Sequence, residues 1–225
     1  MKLAVLFSGG KDSTMALHKV LKQGHDVTHL VSAFPKNPES MLYHTSNIEL
    51  TKLAAEAIGI PLLKLEVESL EDTGEAAELE EALEKLDIEG IVVGGVSSKY
   101  QARIFSAIAD KLGIEMIAPY WGKPHEELIR EAIGAGYDIR ITSVSADGLD
   151  ENWLGRKLDL ETLEELKKLK ETYGVDIGGE GGEYCTVVVA GPIFKKRIKF
   201  LESEKVWEGM SGKLVVKKAE LVASK

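Results

Sequence analysis

Ser8-Gly9-Gly10-Lys11-Asp12-Ser13 lies between two runs of different character. Ahead of it, Leu3-Ala4-Val5-Leu6-Phe7 is short, apolar and uncharged, which predicts a strand buried on both faces of a parallel sheet. Behind it, Met15, Leu17, His18, Leu21 and Lys22 fall on helical spacing and the run stops at Gly24, which predicts a helix. Glycines at a strand-to-helix turn let the main chain come close to a ligand. The free N–H groups and the dipole of the following helix favour an anion there. Lys11 adds a positive charge, and Ser8 and Ser13 add hydroxyl donors. The stretch reads as a phosphate cradle, with an ordinary capped glycine turn as the blander alternative. Its spacing is neither that of a Walker A loop nor that of a G-x-G-x-x-G fingerprint.

The 225 residues suit one large α/β domain, or such a domain with a smaller appendage. Hydrophobic content of 44% supplies a full core, and no run approaches a membrane span. Met1-Lys2-Leu3 enters the first strand directly, so a cytoplasmic protein with no membrane partner is expected. A net charge of −9 argues against broad attraction to nucleic acid. A single cysteine, Cys185, excludes an internal disulfide and any CxxC metal or sulfur-relay site.

Strand and helix signals alternate through the first two thirds of the chain. Strands are expected over 26–32, 62–67, 90–94, 116–118 and 137–144, with helices over 47–58, 99–112 and 125–135. A further acidic helix, capped by Thr73, is expected to run through Leu86. This alternation implies a doubly wound parallel sheet with ligands beyond the carboxyl ends of its strands. From residue 145 the pattern changes to a loop over 145–157, a helix over 160–173, a glycine-rich stretch and strands over 186–190, 193–202 and 213–222. Two parts are therefore expected: a nucleotide-binding domain over 1–144, and a smaller, β-rich, substrate-binding part over 145–225.

Three further stretches carry candidate chemistry. Tyr43-His44-Thr45-Ser46-Asn47 precedes a helix, so Ser46 or Asn47 is either a cap or, with His44, part of a wall facing the nucleotide. Gly94 and Gly95, followed by Ser97, Ser98, Tyr100, Gln101 and Arg103, lie beyond a strand at the same sheet edge. They are either simple capping or the second half of the ligand site. Gly178-Gly179-Glu180-Gly181-Gly182-Glu183-Tyr184 is either a flexible linker or a lid or wall. In the second case Glu183 holds Mg²⁺ or takes a proton from the substrate amine.

The loop Ser8–Ser13 resembles that of the N-type ATP pyrophosphatases, which split ATP into AMP and pyrophosphate to adenylate an acceptor. Tyr100-Gln101 with Arg103, Gly148-Leu149-Asp150 with Leu154-Gly155-Arg156, and Gly179–Tyr184 with Thr186 narrow the likeness. Together they resemble the archaeal diphthine–ammonia ligases (diphthamide synthetases) across essentially the whole chain, although members often carry Glu or His in place of Cys185. The resemblance implies an adenine-nucleotide α-hydrolase-like fold with a family-specific C-terminal part. It also implies adenylation of the diphthine carboxylate on elongation factor 2, then displacement of AMP by ammonia. Ser8, Gly9, Gly10, Lys11, Asp12 and Ser13 would hold ATP, with His44, Gly94 and Gly95, and Asp12 would reach Mg²⁺. Tyr100, Gln101, Arg103, Asp150, Arg156, Glu180, Gly181, Gly182, Glu183 and Tyr184 would form the acceptor side. Lys11, Asp12 and Glu183 would act in catalysis, Lys11 and Asp12 serving the phosphates rather than the fold. A tRNA-modifying enzyme of the same superfamily and a non-catalytic adenine-nucleotide sensor are the rival readings, and a homodimer is left open.

Overall fold

The computed structural model describes residues 1–37, 40, 43 and 47–224. Five strands, β1 (Lys2–Leu6), β2 (Asp26–Pro35), β3 (Leu62–Val67), β4 (Gly90–Val92) and β5 (Glu115–Ile117), form a parallel sheet in the order β3-β2-β1-β4-β5. The apolar run of β1 occupies the centre because both of its faces are covered. Leu3, Val5 and Phe7 pack against Met15, Leu17 and Val20 of α1 (Lys11–Lys22) and Ala54 of α2 (Leu50–Ile58). On the opposite face, Ala4, Ile91 and Val93 pack against Leu79 and Leu83 of α3 (Asp72–Glu84) and Phe105 and Ile108 of α4 (Lys99–Leu112). The sheet is doubly wound, as its sequence pattern implies. Its strand order changes direction between β1 and β4, which opens a crevice at their carboxyl ends.

The remaining elements are α5 (His125–Gly134), β6 (Asp138–Val144), a 3₁₀ turn (Glu151–Trp153), α6 (Leu160–Tyr173), β7 (Tyr184–Ala190), β8 (Lys196–Glu208) and β9 (Ser211–Ala223). Four of these strands form an antiparallel sheet in the order β7-β6-β9-β8. Residues 137–144 therefore do not add a sixth parallel strand. β6 pairs Ile139 with Val188 and Ser143 with Lys213, so the change of sheet falls before residue 145. The hairpin strands are also longer than expected. Glu202-Ser203-Glu204-Lys205 is exposed on both faces and shows no alternation, yet the ladder continues through Lys205↔Leu214 and Trp207↔Gly212. Thr73 is not a cap: α3 starts at Asp72, with Asp72 and Glu75 in its first turn, where acidic groups suit the helix dipole.

The two sheets share one apolar core. Phe194, Ile198 and Leu214 join the cluster that holds Met15, Leu50 and Ala54. Backbone bonds cross between them as well, from Val188 N–H to Gly9 O at 2.8 Å and from Lys195 N–H to Ala57 O at 2.7 Å. Asn47 makes a third link. It has a left-handed φ of 56°, and α2 begins only at Leu50. Its side-chain Nδ2 donates to Leu214 O at 2.8 Å, and its Oδ1 accepts from Val216 N–H at 3.1 Å. Asn47 thus binds the edge of β9; the N-cap position of α2 is Glu49, and Asn47 is outside the lining of the crevice. Among the described residues, no helix is long and apolar enough to cross a membrane.

Candidate active site

A cavity of about 430 Å³ occupies the crevice between the carboxyl ends of β1 and β4. Three segments build it: the Ser8–Ser13 loop, the turn from β4 into α4, and the glycine-rich stretch before β7. Among the loop residues, Ser8, Gly10, Lys11, Asp12 and Ser13 line it, while Gly9 sits behind them with its carbonyl bound to Val188 on β7.

The loop is held from both sheets. Ser8 N–H and Oγ lie 3.3 and 3.2 Å from Ser13 Oγ, which closes the turn. Lys11 N–H donates to Thr186 Oγ1 at 3.1 Å, so β7 takes one amide of the first turn of α1. Gly10, which precedes the helix, has no side chain to cap the others, and such a helix start suits an anion. Lys11 Nζ lies 2.9 Å from Asp12 Oδ2, donates to Gly178 O at 2.5 Å and stands over the Tyr184 ring at 5.3 Å. The side chain is only 4% exposed. Burial is the largest single influence and would lower its pKa, but the charge and hydrogen bond of Asp12, with the neighbouring Tyr184 and Cys185, together more than offset it and the net shift is upward. Lys11 is therefore a cation at neutral pH, and it serves the fold as well as the site.

On the β4 side, Gly94 and Gly95 both line the cavity. A Cβ on Gly94 would lie 2.6 Å from Ser13 N, so only glycine lets this turn approach the start of α1. Ser98 caps α4 by accepting from Gln101 N–H, and Tyr100 and Gln101 face the cavity. Arg103 does not: it is exposed and stacks over the Tyr100 ring at 5.9 Å, in a groove between α3 and α4.

The glycine-rich stretch is a tied wall. Gly179, Glu180, Gly181, Gly182 and Tyr184 line the cavity. Glu180 accepts from Val96 N–H at 2.5 Å, from Ser97 N–H at 2.8 Å and from Ser97 Oγ, which binds the stretch to the β4 turn. Tyr184 donates its hydroxyl to Ile177 O at 2.5 Å, and burial pushes its pKa up, so it is neutral. Glu183 departs from expectation. Its carboxylate is outside the cavity lining and turns back into its own stretch, with Oε1 accepting from Asp176 N–H at 3.2 Å. Asp150 and Arg156 also lie outside the lining. Asp150 caps the 3₁₀ turn through Asn152 N–H at 2.9 Å, and Arg156 grips Glu165 through two bonds at 2.8 and 2.5 Å. His44 is outside the described residues.

Trp121 and Cys185 face the cavity without having been assigned from sequence. An aromatic residue beside Gly122 in a turn was the available signal for Trp121, since it is 44% exposed. Among the described residues, no group of three or more His, Cys, Asp or Glu gathers around a metal position. Among the described residues the cavity lining carries the carboxylates of Asp12 and Glu180, and Asp12, on the loop itself, suits Mg²⁺, an ion that takes one or two carboxylates with phosphate oxygens and water.

A doubly wound sheet with a glycine-rich loop and a cavity at its switch point is the architecture of a nucleotide-binding α/β fold. Residues 1–116 match the family model of the diphthamide synthase N-terminal domain, and residues 124–222 that of the diphthamide synthase C-terminal domain. The chain belongs to the diphthamide synthase family. It is 34% identical over 228 residues to the diphthine–ammonia ligase of Rattus norvegicus, covering 92% of this chain and 85% of that one. It is 33% identical over 230 residues to the diphthine–ammonia ligase of Homo sapiens, with the same coverage of 92% and 85%. A solved structure titled as a predicted subunit of tRNA methyltransferase, from Methanocaldococcus jannaschii, aligns at 18% identity and a TM-score of 0.46, over 85% of this chain and 97% of that chain.

Proposed function

We propose that this chain amidates the diphthine carboxylate of elongation factor 2 with ammonia, at the expense of ATP, through an acyl-adenylate. The products are diphthamide, AMP and pyrophosphate. The observation that carries the reading is Lys11, a buried cation in the phosphate loop of a cavity belonging to a diphthamide synthase family member. A carboxylate resists amide formation because its leaving group is oxide, whereas AMP leaves readily. The chain therefore has to align acceptor and α-phosphate and stabilise the charge that develops on pyrophosphate.

Ser8, Ser13, the amides at the start of α1 and Lys11 serve that pyrophosphate. Asp12 would hold Mg²⁺, which would neutralise phosphate charge. Tyr100, Gln101 and the wall from Gly179 to Tyr184 line the same cavity, the wall running directly against Lys11, and form the acceptor side. Glu180 supersedes Glu183 as the carboxylate of that wall. The parallel sheet with its helices supplies the nucleotide loop and the Tyr100 and Gln101 side of the acceptor site, and the stretch that leads into the antiparallel sheet supplies the wall, in a protein expected in the cytoplasm.

The test is incubation with ATP, ammonium and diphthine-bearing elongation factor 2, with mass measurement of the acceptor and chromatography of the nucleotide. Conversion of carboxylate to amide, with one AMP per amide, is the expected result. Accumulation of ADP, or a response to tRNA and none to the factor, overturns the reading.

A further inference from the structure

His125, the first residue of α5, takes no part in the cavity lining, yet it packs against the start of the wall that grips Lys11, at Asp176, Gly178 and Glu180. Its ring packs against the main chain of Gly178, where a Cβ would lie 2.3 Å from His125 Nδ1. Gly178 is therefore glycine because the imidazole occupies its side-chain position. The carbonyl of that same residue accepts from Lys11 Nζ at 2.5 Å. His125 Nδ1 lies 2.8 Å from Asp176 Oδ1, and its Nε2 lies 3.4 Å from Glu180 Oε2. Asp176 Oδ2 in turn accepts from Glu180 N–H at 3.1 Å, and Glu180 holds the Val96 and Ser97 amides. One ring, 15% exposed, thus packs against the residue whose carbonyl aims Lys11 and, through Asp176, supports the main chain of Glu180, whose carboxylate fixes the β4 turn.

We propose that His125 is a positioning residue for the pyrophosphate group: it holds Gly178 against Lys11 and Glu180 against the β4 turn, and so sets where the ammonium of Lys11 stands. The imidazole meets no substrate itself. It acts through Lys11, because Lys11 has its other charged partner, Asp12, on its own helix. Without the brace, the Gly178 carbonyl is free to retreat and Lys11 follows Asp12 alone. A displacement of about 1 Å at a charged contact is enough to cost on the order of 10²-fold in rate.

The inference rests on the reading that Lys11 serves pyrophosphate. It is tested with inorganic pyrophosphate as the probe, since its binding needs no acceptor and stands apart from whether amide is formed. Calorimetric titration of the full chain compares wild type, His125→Leu, Lys11→Ala and the double variant. His125→Leu is expected to weaken pyrophosphate binding about tenfold, and to cost nothing further once Lys11 is Ala, the non-additivity of residues that act as a unit. Gly178→Ala drives a Cβ into the ring without removing it and should give the same coupled loss, so the test survives if His125→Leu does not fold. Wild-type pyrophosphate affinity in these variants overturns the proposal, and so do losses that multiply independently with Lys11→Ala.

Discussion

Lys11 donates to Gly178 O and pairs with Asp12, so its removal leaves a buried carbonyl without its donor as well as the proposed phosphate site without its charge. Lys11→Ala is expected to lower folding stability by about 1.5–3 kcal/mol, the range for hydrogen bonds to charged groups. Nucleotide affinity should fall with it. Denaturant melts alongside ATP titrations check the pair, and a variant that loses ATP binding at unchanged stability would confine Lys11 to the ligand. Glu183 makes the opposite case. Its Oε1 accepts one backbone N–H, a bond that a glutamine oxygen also makes, and its carboxylate does not reach the cavity lining. Glu183→Gln should form pyrophosphate and amide within a few-fold of wild type. A selective fall in amide formation of 10²–10⁴, the usual effect of losing a general base, would return the base to Glu183.

At the scale of elements, the most consequential joint is the one Asn47 makes with β9. Two bonds to Leu214 O and Val216 N–H hold the entry to α2 against the hairpin, and the neighbouring Ile48 lines the cavity. Asn47→Gly keeps the left-handed backbone and loses the bonds, while Asn47→Ala loses both, and left-handed backbone costs an ordinary residue about 1–2 kcal/mol. Alanine is therefore expected to be the more destabilising by about that amount in denaturant melts, and equal losses would refute the backbone part. Asp159 caps α6 by accepting from Thr162 N–H at 3.0 Å, and that bond holds its carboxyl below the usual range. A depressed carboxylate contributes its stability above its unfolded pKa, near 4, and loses it as pH falls through the lower folded value. Asp159→Ala should thus cost about 1 kcal/mol at neutral pH and progressively less below about pH 4, read from melts across that range. These joints also show which features local sequence could reveal. The strand, loop and helix around Ser8–Ser13 are written in adjacent residues, so turn chemistry and periodicity were sufficient. β6 alternates Asp138, Arg140 and Thr142 with Ile139 and Ile141, a pattern that suits an antiparallel strand, but the partners that would have confirmed it come later in the chain. The depth of Lys11 was hidden for the same reason: the carbonyl that covers it is 167 residues away.

Across the whole molecule, the phosphate loop belongs to one sheet and is braced by the other. Gly9 O is bound by Val188, Lys11 N–H by Thr186, and Lys11 Nζ by the stretch leading into β7. The apolar cluster is just as shared, with Leu163 and Leu166 of α6 and Val187 and Val188 of β7 in one cluster with Leu3, Val5 and Leu17. Unfolding the antiparallel sheet alone would expose that cluster and strip the loop of its supports, so the two halves are expected to be stable only together. The expectation is a single cooperative transition in which tryptophan fluorescence and far-ultraviolet dichroism coincide. Trp153 and Trp207 report on the antiparallel part and Trp121 on the cavity rim, so a separate melting of either would be seen. A ligand that binds only the folded chain at 100 times its Kd adds about 2.7 kcal/mol. For a chain of this size that moves the midpoint by about 5–11 °C. Because the site is built from both halves, saturating AMP should move the whole transition by that amount. Two resolved transitions, with only one of them responding to AMP, would mean that the antiparallel sheet is a passenger and that the brace on the phosphate loop is not part of how nucleotide is held.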